Sequence, residues 1–193
     1  MKKILVMAAL AICSFANAQK GTILVGGNIG YTSDKTEFAN SENTVSEFSF
    51  SPKVGYQFHE NWTVGGEFTV TSANDDNGAT EEKYNALKFG AFVRYTMPLS
   101  QTFSVFADMG AGFQNAKSKL YGPGNDFSKS TADGMYVGVT PALFINMKKG
   151  FGLNFSIGGL GYETLSYDNN GADVSSFYFN FGQTFNIGIS KNF

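Results

Sequence analysis

Two basic and two acidic residues, Lys53, Glu67, Arg94 and Asp108, are the side chains whose types and spacing best suit joint chemistry. If His59-Glu60-Asn61 is a tight turn, positions 53 and 67 are equidistant from its centre at 60 and face each other across an antiparallel pair. Across the next tight turn, Pro98 to Gln101, Arg94 can face Phe106 or Asp108 according to register. The four lie on consecutive segments at similar distances from the short turns, so the spacing predicts a buried ionic network. Unpaired, each charge would carry a desolvation cost of several kcal/mol. Such a network either fills and stiffens an interior or lines a gated ion path.

Other chemistries find less support. Hydrolysis by a Ser-His-acid arrangement needs a histidine beside a nucleophile, and the sole histidine, His59, sits in a short turn. The run Asp75, Asp76, Asn77, Gly78 lacks a bidentate glutamate at the EF-hand distance. No glycine-rich phosphate loop stands in a strand-loop-helix context. The reading is therefore of a protein that is not an enzyme and carries no cofactor or metal. A formal charge of −2 gives no sign of nucleic-acid binding.

The elements that must position these residues are strands. Among 193 residues there are 20 Phe, 9 Tyr and 23 Gly, with charged residues at 16% against an ordinary ~25%. Large rings with glycine favour β-structure. Alternation predicts eight strands near 20–32, 45–58, 62–71, 84–97, 102–115, 133–147, 151–162 and 175–193. Tight connections at 59–61, 98–101 and 148–150 alternate with long polar ones at 33–44, 72–83, 116–132 and 163–174. Short turns at one end and long loops at the other describe an antiparallel up-and-down meander.

Alternation alone leaves two solvents open for the greasy parity: lipid outside, or the interior of a soluble carrier. One parity carries Phe48, Phe50, Val54, Tyr56, Phe68, Phe89, Phe113, Val139 and Phe155. That is too much bulk for the inside of an eight-stranded barrel. The other carries Gly26, Gly55, Gly65, Gly90, Gly110, Gly138 and Gly158 with Ser, Thr and Asn, and fillers such as Phe92, Phe106 and Phe144. Glu47, Lys53, Glu67, Lys88, Arg94 and Asp108 all fall on this small-residue parity. A basic residue on a lipid face would cost about 2–4 kcal/mol near the midplane. The bulky face therefore points to lipid, and an eight-stranded transmembrane barrel follows. Lys191 and Gln183 break the parity; Lys191 can snorkel to headgroups. Tyr56, Trp62, Tyr95 and Phe103 gather at the short-turn rim, as an interfacial girdle would.

Lys2 and Lys3, the apolar run Ile4 to Phe15 and the A-x-A sequence Ala16-Asn17-Ala18 read as a cleaved signal peptide. The expected division is 1–18 signal peptide and 19–193 barrel domain. Losing Lys2 and Lys3 would lower the formal charge from −2 to −4. The only cysteine, Cys13, would leave with the segment, and Ile12 before it argues against lipidation.

In the strand-turn-strand FSFSPKVGYQFHENWTVGGEF (48–68), its echo VGVTPALFINMKKGFGLNFSIG (137–158) and the last strand ending in Phe193, the chain resembles the outer-membrane β-barrel family typified by the OmpA transmembrane domain and OmpX, especially the versions common in Bacteroidetes. The resemblance implies a Gram-negative outer membrane, outer-membrane lipid as surroundings and the barrel-assembly machinery as a partner during biogenesis. It also implies that Phe193, with Ile187 and Ile189, forms an assembly signal. The function expected is a small barrel of structural or interaction type, with a side-chain-filled lumen and four long external loops that could bind an unnamed ligand. The alternative is a narrow channel or transporter for small or apolar solutes.

Overall fold

Lys149 and Gly150 turn with φ of +52° and +76°, both in the left-handed region that a two-residue antiparallel hairpin favours. The computed structural model describes residues 21–38, 41–122, 127–168, 172–182 and 185–193. They contain the strands β1 (Ile23–Phe38), β2 (Ser41–His59), β3 (Trp62–Asp76), β4 (Glu81–Pro98), β5 (Phe103–Tyr121) and β6 (Phe127–Lys148). After these come β7 (Phe151–Ser156), β8 (Leu160–Tyr167), β9 (Asp173–Phe179) and β10 (Asn186–Asn192). The first six pair antiparallel in chain order. β6 then pairs with β7 near the Lys149-Gly150 turn and with β8 beyond it. β9 pairs with β8 and β10 with β7, and β10 returns to β1. β7 with β8, and β9 with β10, are each one interrupted stave, so the wall is a closed antiparallel barrel of eight staves. Ile23 and Phe193 exchange backbone hydrogen bonds of 3.1 and 3.0 Å, which ties the last residue into the ladder.

Side-chain direction follows the parity of the sequence. Phe92 is 1% exposed and Phe106 7%, both inside, while Phe89 and Phe113 on the other parity are 50% and 56% exposed. On β5 the outward apolar run goes from Phe103 to Phe113 and then changes to Asn115, Lys117 and Lys119. At about 3.3 Å per residue and a tilt of about 40°, that run covers roughly 25 Å of height, the thickness of the apolar band of a membrane barrel. No described helix is long and apolar enough to cross a membrane; the strands do so.

The structure corrects two expectations. Among the described residues, the polar stretches expected as long loops are largely strand: 33–38 and 41–44, 72–76 and 81–83, 116–121 and 127–132, and 163–167 with 173–174. An antiparallel ladder satisfies backbone N–H and C=O groups whatever the side chains are. The staves therefore continue past the lipid, where both faces are wet and the alternating signal ends.

The last two staves are also broken, at 157–159 and, among the described residues, at 180–182. Gly158 and Gly182 have φ of +84° and +79°. The breaks are stitched together by Gly182 N–H to Ile157 O at 2.7 Å, Asn180 N–H to Gly159 O at 3.0 Å and Gly159 N–H to Asn180 Oδ1 at 2.8 Å. Gly158 belongs to this break rather than to the regular lumen row. The inward parity changes from even on β7 to odd on β8, which turns Gly161 and Glu163 inside. Lys191 lies over the Phe193 ring, 4.3 Å from its centroid. The expected signal peptide, 1–18, and Gln183 lie outside the described residues.

Candidate functional site

The β2–β3 turn sets Lys53 opposite Glu67, and the β4–β5 turn sets Arg94 opposite Asp108 rather than Phe106. All four side chains point into the lumen and meet. Lys53 Nζ lies 3.0 Å from Glu67 Oε2 and 2.9 Å from Asp108 Oδ2. Arg94 grips the same carboxylate through two parallel bonds, Nε to Oδ1 at 2.6 Å and Nη2 to Oδ2 at 2.9 Å. This is the fork geometry in which guanidinium and carboxylate bind most strongly. The Lys53–Asp108 bridge joins β2 to β5, two walls that share no ladder.

Rings and glycines complete the filling. The Arg94 guanidinium stacks 3.7 Å from the centroid of Phe106, and Lys53 Nζ is 5.2 Å from that of Phe92. Glycines leave room for these groups. A Cβ at Gly65 would meet Phe92 Cε1 at 2.8 Å and the Gly55 Cα at 2.5 Å, and one at Gly110 would meet Glu67 Oε1 at 2.5 Å. Beside the network a void of only ≈ 50 Å³ remains, lined by Leu24, Asn28, Thr140, Asn154 and the ions.

A second ionic set stands nearer the projecting end. Lys88 Nζ and Glu163 Oε1 are 2.6 Å apart, and Lys88 lies 5.6 Å from the centroid of Tyr136, whose hydroxyl donates to Glu67 Oε1 at 2.7 Å. Tyr136 thereby links the two sets. Sequence reasoning placed Lys88 inside but missed Glu163, because it assigned 163–174 to a loop. The alternation of Leu160, Tyr162 and Thr164 against Gly161 and Glu163 was the available signal.

The four rim residues lie near the short turns. Trp62 and Tyr95 are register partners with ring centroids 4.9 Å apart. Tyr56 and Phe103 are exposed on the outward face, as are Ile187 and Ile189 on β10. His59 stays in its turn, where its Nδ1 accepts from Asn61 N–H at 3.4 Å. Among the described residues no cluster of His, Cys, Asp and Glu could hold a metal ion.

Residues 4–193 match the family model described as "Outer membrane protein beta-barrel domain". The chain belongs to this family. It is an outer-membrane barrel of a Gram-negative bacterium, embedded in the lipid bilayer. No similar sequence was found among curated proteins. Among solved structures it is similar to Ail, the attachment invasion locus protein of Yersinia pestis, with a TM-score of 0.50 and 14% identity over 90% of this chain and 99% of that one. It is also similar to the translocator domain of the autotransporter NalP from Neisseria meningitidis, with a TM-score of 0.50 and 12% identity over 91% of this chain and 64% of that one. At these identities the likeness is one of fold.

Proposed function

We propose that this barrel is a non-enzymatic structural and interaction protein: a plugged cylinder whose strands carry a polar surface beyond the membrane. The observation behind this reading is the Lys53–Asp108 bridge across the lumen, which with Phe92 and Phe106 leaves a void of ≈ 50 Å³. A wide aqueous channel needs about 16 to 18 strands. The projecting end faces the cell exterior and the short turns face the periplasm, the usual arrangement of such barrels. An external ligand would meet β1 to β6 there. Planar-bilayer recording tests the plug: no discrete conductance steps are expected, and steps that change in Lys53→Ala would contradict it.

The same reading includes two events of biogenesis. Residues 1–18 are removed on export, which intact-mass measurement of the purified protein checks. Phe193, with Ile187 and Ile189, is read by the barrel-assembly machinery, so deleting Phe193 lowers outer-membrane levels; unchanged levels would reduce it to lipid-facing bulk.

A second reading, passage of small or apolar solutes, is supported by the seam between first and last staves. β1 pairs with β10 only over Leu24–Asn28. Above that height, among the described residues, β1 pairs with β2 alone and β9 with β8 alone. Ile29 and Tyr31 on one edge and Phe177 and Phe179 on the other are all about two-thirds exposed or more. A side opening would let an apolar solute leave for the bilayer without crossing the plug. Accelerated uptake of an apolar dye into proteoliposomes favours this reading; a rate equal to that of empty vesicles counts against it.

A further inference from the structure

The break in the last two staves shapes the outer wall as well as the ladder. Gly182, at φ +79°, donates to Ile157 O at 2.7 Å, and on either side of this fold Phe181 and Phe185 are exposed on the lipid face. Phe185 leans on Phe155, with ring centroids 5.9 Å apart. Together with Val105, Leu143, Ile145 and Ile157 the two exposed rings line an apolar hollow of ≈ 610 Å³ over β5, β6 and β7. Sites that hold a small molecule measure about 300–1,000 Å³.

A basic row stands at the short-turn end of the same staves. Lys148 faces Phe151 across β6 and β7, Phe151 faces Lys191 across β7 and β10, and Lys149 follows Lys148 in the turn. All three lysines are exposed. The α-carboxylate of Phe193, two residues from Lys191, offsets part of their charge. From Phe151 to Ile157, at the far end of the hollow, is about 20 Å along a tilted strand, or roughly 15 Å of height. That is about half of a hydrocarbon core of about 30 Å, the depth of one leaflet.

A lipid tail gains nothing from the hydrophobic effect by entering the hollow, because the tails around it are equally apolar; van der Waals contact decides, and a concave wall offers more of it. Selection among lipids then falls to the headgroup, where lysines favour a net negative charge.

We propose that this face holds one anionic phospholipid, with an acyl chain in the hollow and the phosphate on Lys148, Lys149 and Lys191. With the short turns periplasmic, as inferred above, the lipid belongs to the periplasmic leaflet, and only the choice of leaflet rests on that orientation.

The test uses the folded full-length barrel in detergent, titrated with dioleoyl phosphatidylglycerol or zwitterionic dioleoyl phosphatidylcholine and read by native mass spectrometry. The wild type should prefer the anionic lipid. A variant carrying Lys148→Gln, Lys149→Asn and Lys191→Gln should lose about tenfold or more of its affinity for phosphatidylglycerol and bind the two lipids alike; asparagine tolerates the positive φ at 149. Leu143→Trp, which fills the hollow, should weaken both lipids together. All four positions lie outside the lumen, and the heat-dependent gel shift shows that each variant folds. Equal binding of phosphatidylglycerol by the wild type and the lysine variant would overturn the proposal, as would undiminished binding by Leu143→Trp. So would oleyl alcohol bound as tightly as phosphatidylglycerol, which would assign the hollow to an uncharged solute. Labelling of Lys149→Cys on intact cells by a bulky impermeant maleimide would overturn the leaflet and the orientation behind it, whereas the binding comparison judges the site itself.

Discussion

The two ionic sets inside the barrel use the same kinds of side chain at different heights, and they are built to different standards. In the lower set Arg94 and Asp108 have side chains 10% and 7% exposed, joined by two bonds and braced by Phe106. In the upper set Lys88 and Glu163 are 31% and 25% exposed and share one contact. The wall differs in the same sense. At the lower height it is zipped all round; at the upper height the described part of β9 does not reach β1. A buried charge keeps its partner because losing it strands an ion in a dry place, whereas a half-wet charge has water as a substitute. The lower half thus behaves as a sealed core and the upper half as a solvated cup.

The largest effect expected from this contrast is at Asp108. Asp108→Ala leaves Arg94 and Lys53 without their shared carboxylate and should cost about 3–5 kcal/mol. The midpoint of the heat-dependent gel shift reads this as a clear fall; an unchanged midpoint would remove the lower set from the stability of the barrel. Lys53→Ala and Glu67→Ala should move the midpoint the same way by less, because both residues are wetter.

Glycine positions sharpen the comparison. Gly65→Val would push against Val54 O, Gly55 and the Phe92 ring and should cost about 1–3 kcal/mol through overpacking. Gly30 points into the upper lumen, where a Cβ would meet nothing within 4 Å, so Gly30→Val should fold normally. Urea titration of the two variants compares them; equal destabilisation would mean the upper cup is as tightly filled as the core.

Smaller still is the upper ion pair. Lys88→Ala should cost about 1 kcal/mol or less in the same titration, in line with partly exposed pairs, and a loss matching that of Asp108→Ala would erase the distinction. The smallest effect lies beyond the membrane, near the β1–β2 tip. Glu37 and then Glu42, 2.9 and 3.0 Å from Lys35, raise its pKa above the usual 10.5. Because the folded value is the higher, the contribution of this pair is present below pH 10.5 and disappears as pH rises through the folded pKa. Side-chain NMR should show the raised titration while the unfolding midpoint stays insensitive to Lys35→Gln.

These contrasts also show what the sequence made legible. Parity alone divided Phe68, Phe89 and Val139 from Lys53, Glu67, Arg94 and Asp108, because a barrel wall one residue thick has only two sides. Turn arithmetic about position 60 fixed the Lys53–Glu67 pairing, while Arg94 remained ambiguous until the β4–β5 register was known. The cross-lumen bridge from Lys53 to Asp108 depends on barrel diameter and shear, which no local pattern encodes. Glu163 was hidden for a different reason. On β8 the alternation of Leu160 and Tyr162 against Gly161 and Glu163 is short and runs on into the polar Thr164, Ser166 and Asp168, so the stretch reads as loop.

The plug and the seam both depend on hydrocarbon touching the bulky parity. Single nitroxide labels at Phe68, Phe89 and Val139, in protein reconstituted into vesicles, measure this directly through their accessibility to oxygen and to a water-soluble nickel complex. The account predicts high oxygen and negligible nickel accessibility at all three. Ready access of nickel, or shielding from both reagents, would place these side chains in water or in a closed interior and contradict it.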